Sequence, residues 1–208
     1  MLFLECSGCN IELAFLLDAS SKAGNDWANI RNFVNNIVTR FNINPNCVRV
    51  AVILYADNAQ VPIPLNRYND VNSLLQGINS LNIIGGGSNL ATALQVLRTQ
   101  VFPSNVVRSG ARLIALIVTD RLQTCSSQII TVANNVKSMG VFVVGVGITQ
   151  NRQVDSSCMR RVVSCNYIEV PFYNQLNNQI TQTVRYICAA TCASTYRLLT
   201  SRVCINSV

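Results

Sequence analysis

Strand-length apolar runs separated by amphipathic stretches set the architecture of this chain. Residues 11–17 are apolar except for Glu12 and end in the polar string Asp18-Ala19-Ser20-Ser21. Residues 48–56, 112–119 and 141–147 are comparable runs. Strands that read as almost continuously apolar are buried on both faces, as in a parallel sheet with helices packed on either side. Between the first two runs, Trp27, Ile30, Phe33, Val34, Ile37, Val38 and Phe41 recur at helical spacing on one face. A long amphipathic helix is therefore expected from Asp26 onward.

The remaining segments complete an alternating pattern. Asp57-Asn58 suits a tight turn into a short strand at residues 60–63, and Pro62 and Pro64 mark that strand as an edge. Helical stretches follow at 71–81 and 90–101, separated by Gly85-Gly86-Gly87-Ser88, and Pro103 ends the second. A helix at 127–139 closes on Gly140, then come the strand at 141–147, a weak helix, a short strand at 167–170 and a helix at 175–188. The order predicts an α/β fold, doubly wound, with a mostly parallel six-stranded sheet, one antiparallel edge strand and helices on both faces. Residues 1–10 read as a Cys-containing lead, 11–188 as the domain, and 189–208 as a Cys-containing tail without periodicity.

A chain of 208 residues suffices for one such domain and not for two. Half of the residues are hydrophobic and 12% are charged, which supports a large core and excludes intrinsic disorder. No apolar run approaches the roughly 20 residues needed to span a bilayer. The opening Met1 to Leu4 is stopped by Glu5 and Cys6, so a secretory signal is not expected within these residues. The nine cysteines are nonetheless many for a reduced compartment, and they point to secretion. No cysteine spacing suits zinc and there is no histidine, while the odd count leaves at least one thiol free or bonded to another chain. The net charge of +7 comes mostly from arginine, since only Lys22 and Lys137 are lysines. Guanidinium groups favour carboxylate, sulfate or phosphate partners, although scattered solubilising charge accounts for the excess equally well.

Three polar clusters fall at the carboxyl ends of strands, where ligands bind in open parallel sheets. They are Asp18-Ala19-Ser20-Ser21-Lys22, Gly85-Gly86-Gly87-Ser88-Asn89 and Thr119-Asp120. In this order and spacing, over residues 11–188, the combination resembles the metal-ion-dependent adhesion site of von Willebrand factor A domains, in which a DxSxS loop, a Thr loop and an Asp loop hold magnesium. The resemblance implies an oxygen-donor site at Asp18, Ser20, Ser88 and Asp120, suited to a small octahedral cation. Ser88 stands where the family has threonine and keeps the hydroxyl. Lys22 stands where the second serine of DxSxS supplies an oxygen, and an ammonium cannot ligate a metal.

Two readings of Lys22 follow. In one it turns to solvent, water takes its place, and a weak Mg2+ site remains. In the other its ammonium sits near Asp18 and Asp120 and replaces the metal, so that no cofactor is needed. Attraction of roughly 4 kcal/mol per pair at about 4 Å, at an effective dielectric near 20, offsets part of the desolvation. The second reading is favoured because two carboxylates meeting without a cation force one to protonate.

Enzyme classes find no support. GxGxxG, GK[ST] and GxSxG are absent, and without histidine no Ser-His or Cys-His pair can form. A magnesium phosphatase would need a second carboxylate where Ser20 stands. Nucleic-acid binding rests on basicity alone, because Trp27, Phe33 and Phe41 fall on a core face. Cys125 and Cys158 should lie on neighbouring connections and could bridge. Cys6 and Cys9 precede the first strand and Cys188 and Cys192 are expected to follow the last helix. The resemblance implies a bridge joining these two ends, with Cys9 and Cys188 as candidates, and it would contribute roughly 4–5 kcal/mol in the chain-entropy model. Cys47 is expected to be a buried thiol or an intermolecular crosslink.

The expectation is a secreted, extracellular adhesion or matrix module. It would bind a collagen-like or other matrix protein, or a sulfated glycan, through a basic face carrying Lys22, Ser88, Arg121 and Arg152. The alternative is a structural matrix component, byssal or shell-like, that acts by crosslinking and assembly, including disulfide-linked or homo-oligomeric assembly.

Overall fold

The computed structural model describes residues 10–192 except 123, 151 and 152, with the side chains of Ser21, Lys22, Asn25 and 190–192 excluded. The lead up to residue 9 and the tail after 192 lie outside the described residues, as do Cys9 and Arg152.

Six strands form one sheet: β1 (Ile11–Asp18), β2 (Val48–Tyr55), β3 (Ala59–Ile63), β4 (Arg112–Thr119), β5 (Phe142–Ile148) and β6 (Asn166–Val170), in the order β3-β2-β1-β4-β5-β6. All neighbours are parallel except β2 and β3, which form the antiparallel edge hairpin. Among the described residues the α-helices are α1 (Trp27–Val38), α2 (Val71–Asn79), α3 (Leu90–Val96), α4 (Ser127–Ser138), α5 (Ser156–Val162) and α6 (Ile180–Cys192). The apolar run of β1 feeds two cores because successive side chains point to opposite faces. Leu13, Phe15 and Leu17 pack with residues of α1, α2 and α6, while Ala14 and Leu16 pack with α3, α4 and α5.

Local chemistry fixes the starts of three helices. Asp70, Ser126 and Asp155 cap α2, α4 and α5 by accepting amide hydrogens of Ser73, Ile129, and Ser157 with Cys158. Ala14, Ala51 and Ala115 lie side by side across β2, β1 and β4, and this shallow row faces α3, which presents its own Ala91 and Ala93. Gly147 on β5 has no Cβ because the Tyr167 ring of β6 occupies that space. Trp27, Phe33 and Phe41 are buried on the core face of α1 and its C-terminal turn.

Three sequence expectations differ in detail. Residues 90–101 are not one α-helix: after α3 the chain widens into a π-type turn (Leu97–Val101), which seats Val101 and Phe102 in the core. The last helix begins later, because the Asn-containing segment Tyr173–Gln179 is a 3-10 turn, and it extends to Cys192, so Cys188 and Cys192 lie within α6 instead of following it. Cys47 is not a free thiol but is disulfide-bonded, as are Cys165 and Cys188.

Glu12, the one interruption in the first apolar run, is fully buried at the amino end of the sheet. Its carboxylate accepts from Arg49 Nη2 at 2.6 Å and from Arg108 Nε at 2.9 Å. Arg108 also donates to the carbonyls of Pro45, Ile11 and Cys47, tying the starts of β1 and β2 to the segment before β4. Burial pushes the Glu12 pKa up, but the hydrogen bonds and charges of Arg49 and Arg108 outweigh it and hold the group below its ordinary 4.5. A depressed folded pKa contributes stability above the unfolded value, lost as pH falls through the folded one. Glu12→Gln should destabilise the domain by about 3 kcal/mol or more at pH 7. In urea titrations the variant should also lose less stability than the parent on acidification below about pH 4.5.

Candidate functional site

Because β1 lies between β2 and β4 in parallel register, Asp18 at its carboxyl end comes level with Tyr55 and beside Thr119. Asp18 is 1% exposed. Its Oδ1 accepts the Ser20 amide at 3.1 Å, and its Oδ2 accepts the Ser88 hydroxyl at 2.6 Å and the Thr119 hydroxyl at 3.0 Å. Three loops from distant parts of the chain thus meet on one carboxylate. Thr119 Oγ1 also accepts the Arg121 amide at 3.1 Å and lies 2.9 Å from the Arg121 carbonyl, which curls the chain so that Asp120 is buried at the same rim.

The electrostatics call for positive charge. The Asp120 pKa is raised from its ordinary value by burial first and by the charge of Asp18 second, and Tyr173 and Arg121 only partly oppose this. Asp120 Oδ1 and Ser20 Oγ are buried without a hydrogen-bond partner among the described residues. The hydroxyls of Tyr55 and Tyr173 are buried at the same rim, interacting with Thr119 and Asp120 respectively, and both are raised in pKa by burial first and by the neighbouring carboxylates. Unsatisfied buried oxygens beside two acids are a donor set for a hard cation, and Asp18, Ser20, Ser88 and Asp120 are the residues that fit one. Among the described residues there is no group of three or more His, Cys, Asp or Glu, so an ion here would rest on two carboxylates supported by hydroxyls.

Ser88 is delivered by a loop with its own fixings. Ile84 N and Gly85 N donate to Ala19 O, and Asn89 N donates to Ala56 O. Gly87 N donates to Asp57 Oδ1 at 3.1 Å, and a Cβ on Gly86 or Gly87 would overlap the Asp57 carboxylate. Gly86 also has a φ of +84°, which disfavours any side chain. The glycines therefore do more than permit a turn: they make room for Asp57, a residue that the sequence presents only as part of the hairpin turn. Tyr55 and Tyr173 were equally hidden there, one inside an apolar run and the other at the start of an irregular helix.

The remaining site candidates are placed as follows. Arg121 is half-buried next to Asp120, with its Nε among the buried atoms lacking a partner in the described residues. Lys22 belongs to the 3-10 turn Ser21–Asp26, and its side chain lies outside the described residues. Cys125 and Cys158 form a disulfide between the loop after β4 and the start of α5. Parallel bridging of Leu122 with Val154 holds the same two segments together. No helix among the described residues is long and apolar enough to cross a membrane.

A doubly wound sheet of this order with DxS, Ser and Asp loops converging at one rim is the arrangement of a von Willebrand factor A domain. The family model for the von Willebrand factor type A domain matches residues 12–185, and the chain belongs to that family. It is 26% identical over 191 residues to von Willebrand factor A domain-containing protein 2 of Xenopus laevis, covering 89% of this chain and 24% of the relative. It is 27% identical over 176 residues to human matrilin-3, covering 81% of this chain and 35% of the relative. The chain thus spans between a quarter and about a third of these relatives' length. In fold it matches proximal thread matrix protein 1 from the mussel byssus with a zinc-occupied MIDAS motif, at TM-score 0.80 and 22% identity, over 89% of this chain and 47% of that one.

If the Asp57 carboxylate and the Gly86-Gly87 backbone act as one clamp, Asp57→Ala and Gly87→Ala should each cost about 1 kcal/mol in urea denaturation. The double variant should cost no more than either alone; full additivity would show that the two do not interact.

Proposed function

We propose that this domain is an extracellular matrix-binding module, not an enzyme, and that it engages its partner through the rim carrying Asp18, Ser20, Ser88 and Asp120. The observation that carries the reading is the convergence of three loops on Asp18 beside a second buried carboxylate, with no histidine in the chain to serve as a base. Its similarity to matrix proteins, matrilin-3 among them, supports the matrix assignment and an extracellular location. Arg121, Arg152 and Lys22 would make the rim basic and suit it to an acidic side chain of a collagen-like or other matrix protein, or to a sulfated glycan. Binding through this face should weaken steeply with added salt and fall on Arg121→Glu, both readable by surface plasmon resonance. Binding indifferent to both changes would remove the rim from the account.

A bound divalent ion would supply a Lewis-acidic point for a partner carboxylate, held by Asp18, Ser20, Ser88 and Asp120. The zinc-occupied motif of the byssus protein supports that option. In our reading the Lys22 ammonium takes the ion's role, because Lys22 occupies the position where the family pattern has an oxygen donor. Calorimetry should show no tight Mg2+ binding by the parent chain, and Lys22→Ser should create it. Micromolar Mg2+ binding by the parent would refute the substitution of ammonium for metal. In EDTA, Lys22→Ser should lose stability as pH rises through the raised Asp120 pKa and regain it with Mg2+. That sign follows from a folded pKa above the unfolded one, whose stabilisation is present in acid and lost on deprotonation.

A second reading, a structural component that acts by crosslinking, is favoured by the odd number of nine cysteines, which cannot all pair within one chain. A dimer on non-reducing gels that collapses with reductant supports it; a monomer under both conditions does not.

A further inference from the structure

Away from the rim, a groove of about 420 Å3 opens between the edge strand β3 and the carboxyl end of α2. Its volume falls in the range occupied by small-ligand sites. Leu54, Ile63 and Leu81 close its bottom but are only 2%, 2% and 7% exposed, so Ile83, 39% exposed, supplies the apolar contact, and Tyr68 forms one wall.

The walls are fixed in advance. Tyr68 sits on Gly77 so closely that a Cβ there would overlap the ring, and Ser80 Oγ donates to Gly77 O at 2.8 Å. The Leu81 carbonyl accepts from Trp27 Nε1 at 2.8 Å and from Arg31 Nη1 at 3.3 Å, which anchors the far wall to α1. The groove is one-sided in charge: Arg67, 5.8 Å from the Tyr68 ring centroid, lines it, and no Asp or Glu does. The uncharged amides of Gln60 and Asn82 stand exposed at the mouth.

We propose that this groove binds an anionic saccharide unit, a sulfated or carboxylated sugar ring. Its apolar face lies against Ile83 and Tyr68, its hydroxyls meet Gln60 and Asn82, and its anionic group pairs with Arg67. An aromatic wall with amides and a single fork-shaped cation is the donor set for such a ring. A peptide fits less well, because an extended chain pairing with β3 meets Pro62, which has no N–H to donate. The inference rests on the matrix reading for its biological sense and places a site for an anionic sugar in a groove separate from the rim.

The test is an NMR titration of the full chain with a size-defined sulfated chondroitin tetrasaccharide, with neutral tetra-N-acetylchitotetraose and hexaglutamate as controls. The expected result is saturable shifts at the amides of Gln60, Ser80 and Asn82 with the sulfated sugar only, unaffected by EDTA and by Arg121→Glu. Arg67→Gln should weaken binding about tenfold or more, with part of the affinity kept by Arg67→Lys, since one charge-assisted pair is worth roughly that much. No saturable binding, equal binding of hexaglutamate, or an Arg67→Gln affinity equal to the parent's overturns the proposal. Shifts confined to the rim and abolished by Arg121→Glu also overturn it, while supporting the rim as the recognition face. Failure of matrix-protein binding at the rim with groove binding intact sinks the earlier reading alone.

Discussion

The carboxylate of Asp18 is the junction on which the candidate site depends. It is buried, and its hydrogen bonds come from an amide in its own loop and from hydroxyls on two others. A buried carboxylate without donors is costly, so the hydroxyls of Ser88 and Thr119 offset the desolvation of Asp18. The parallel pairing of β1 with β2 and β4 makes the meeting possible, since it brings three carboxyl ends to one rim. The Asp57 clamp and the Cys125–Cys158 bridge then hold the incoming segments on either side.

The same strand carries a buried acid at each end, and the contrast between them is instructive. Glu12 is enclosed by two arginines and its pKa is lowered. Among the described residues Asp18 is met by neutral donors, and the acid beside it, Asp120, has its pKa raised. The first is a completed ion cluster that fastens the base of the sheet. Among the described residues the second retains unsatisfied oxygens and an excess of negative charge, which is the physical argument for a cation at the rim, whether metal or ammonium.

Much of this was legible in the residues. Continuous apolar runs gave the buried parallel strands, and Pro62 with Pro64 marked the edge, because strand burial and ladder geometry act locally on composition. The convergence of Asp18, Ser88 and Asp120 could be anticipated because strand ends in such a sheet share a rim. What stayed hidden depends on partners distant in sequence. Glu12 looks like a flaw until Arg49 and Arg108 fold over it, and Asp57 looks like a turn residue until Gly86 and Gly87 leave it a seat. Tyr55 reads as one more apolar strand residue, although its hydroxyl is buried near the site. The break of the third helix into a wide turn and the 3-10 entry to α6 reflect packing of Phe102 and Tyr173, which helical periodicity does not record.

The central claim is that two buried carboxylates at the rim are neutralised by a positive group. A crystal structure at neutral pH, determined once from EDTA and once from magnesium, tests it most directly. The account predicts the Lys22 ammonium within about 4 Å of Asp18 or Asp120 in both crystals, the distance at which an ion pair forms. Lys22 turned to solvent in EDTA, with Asp18 and Asp120 sharing a proton and no cation between them, would contradict it.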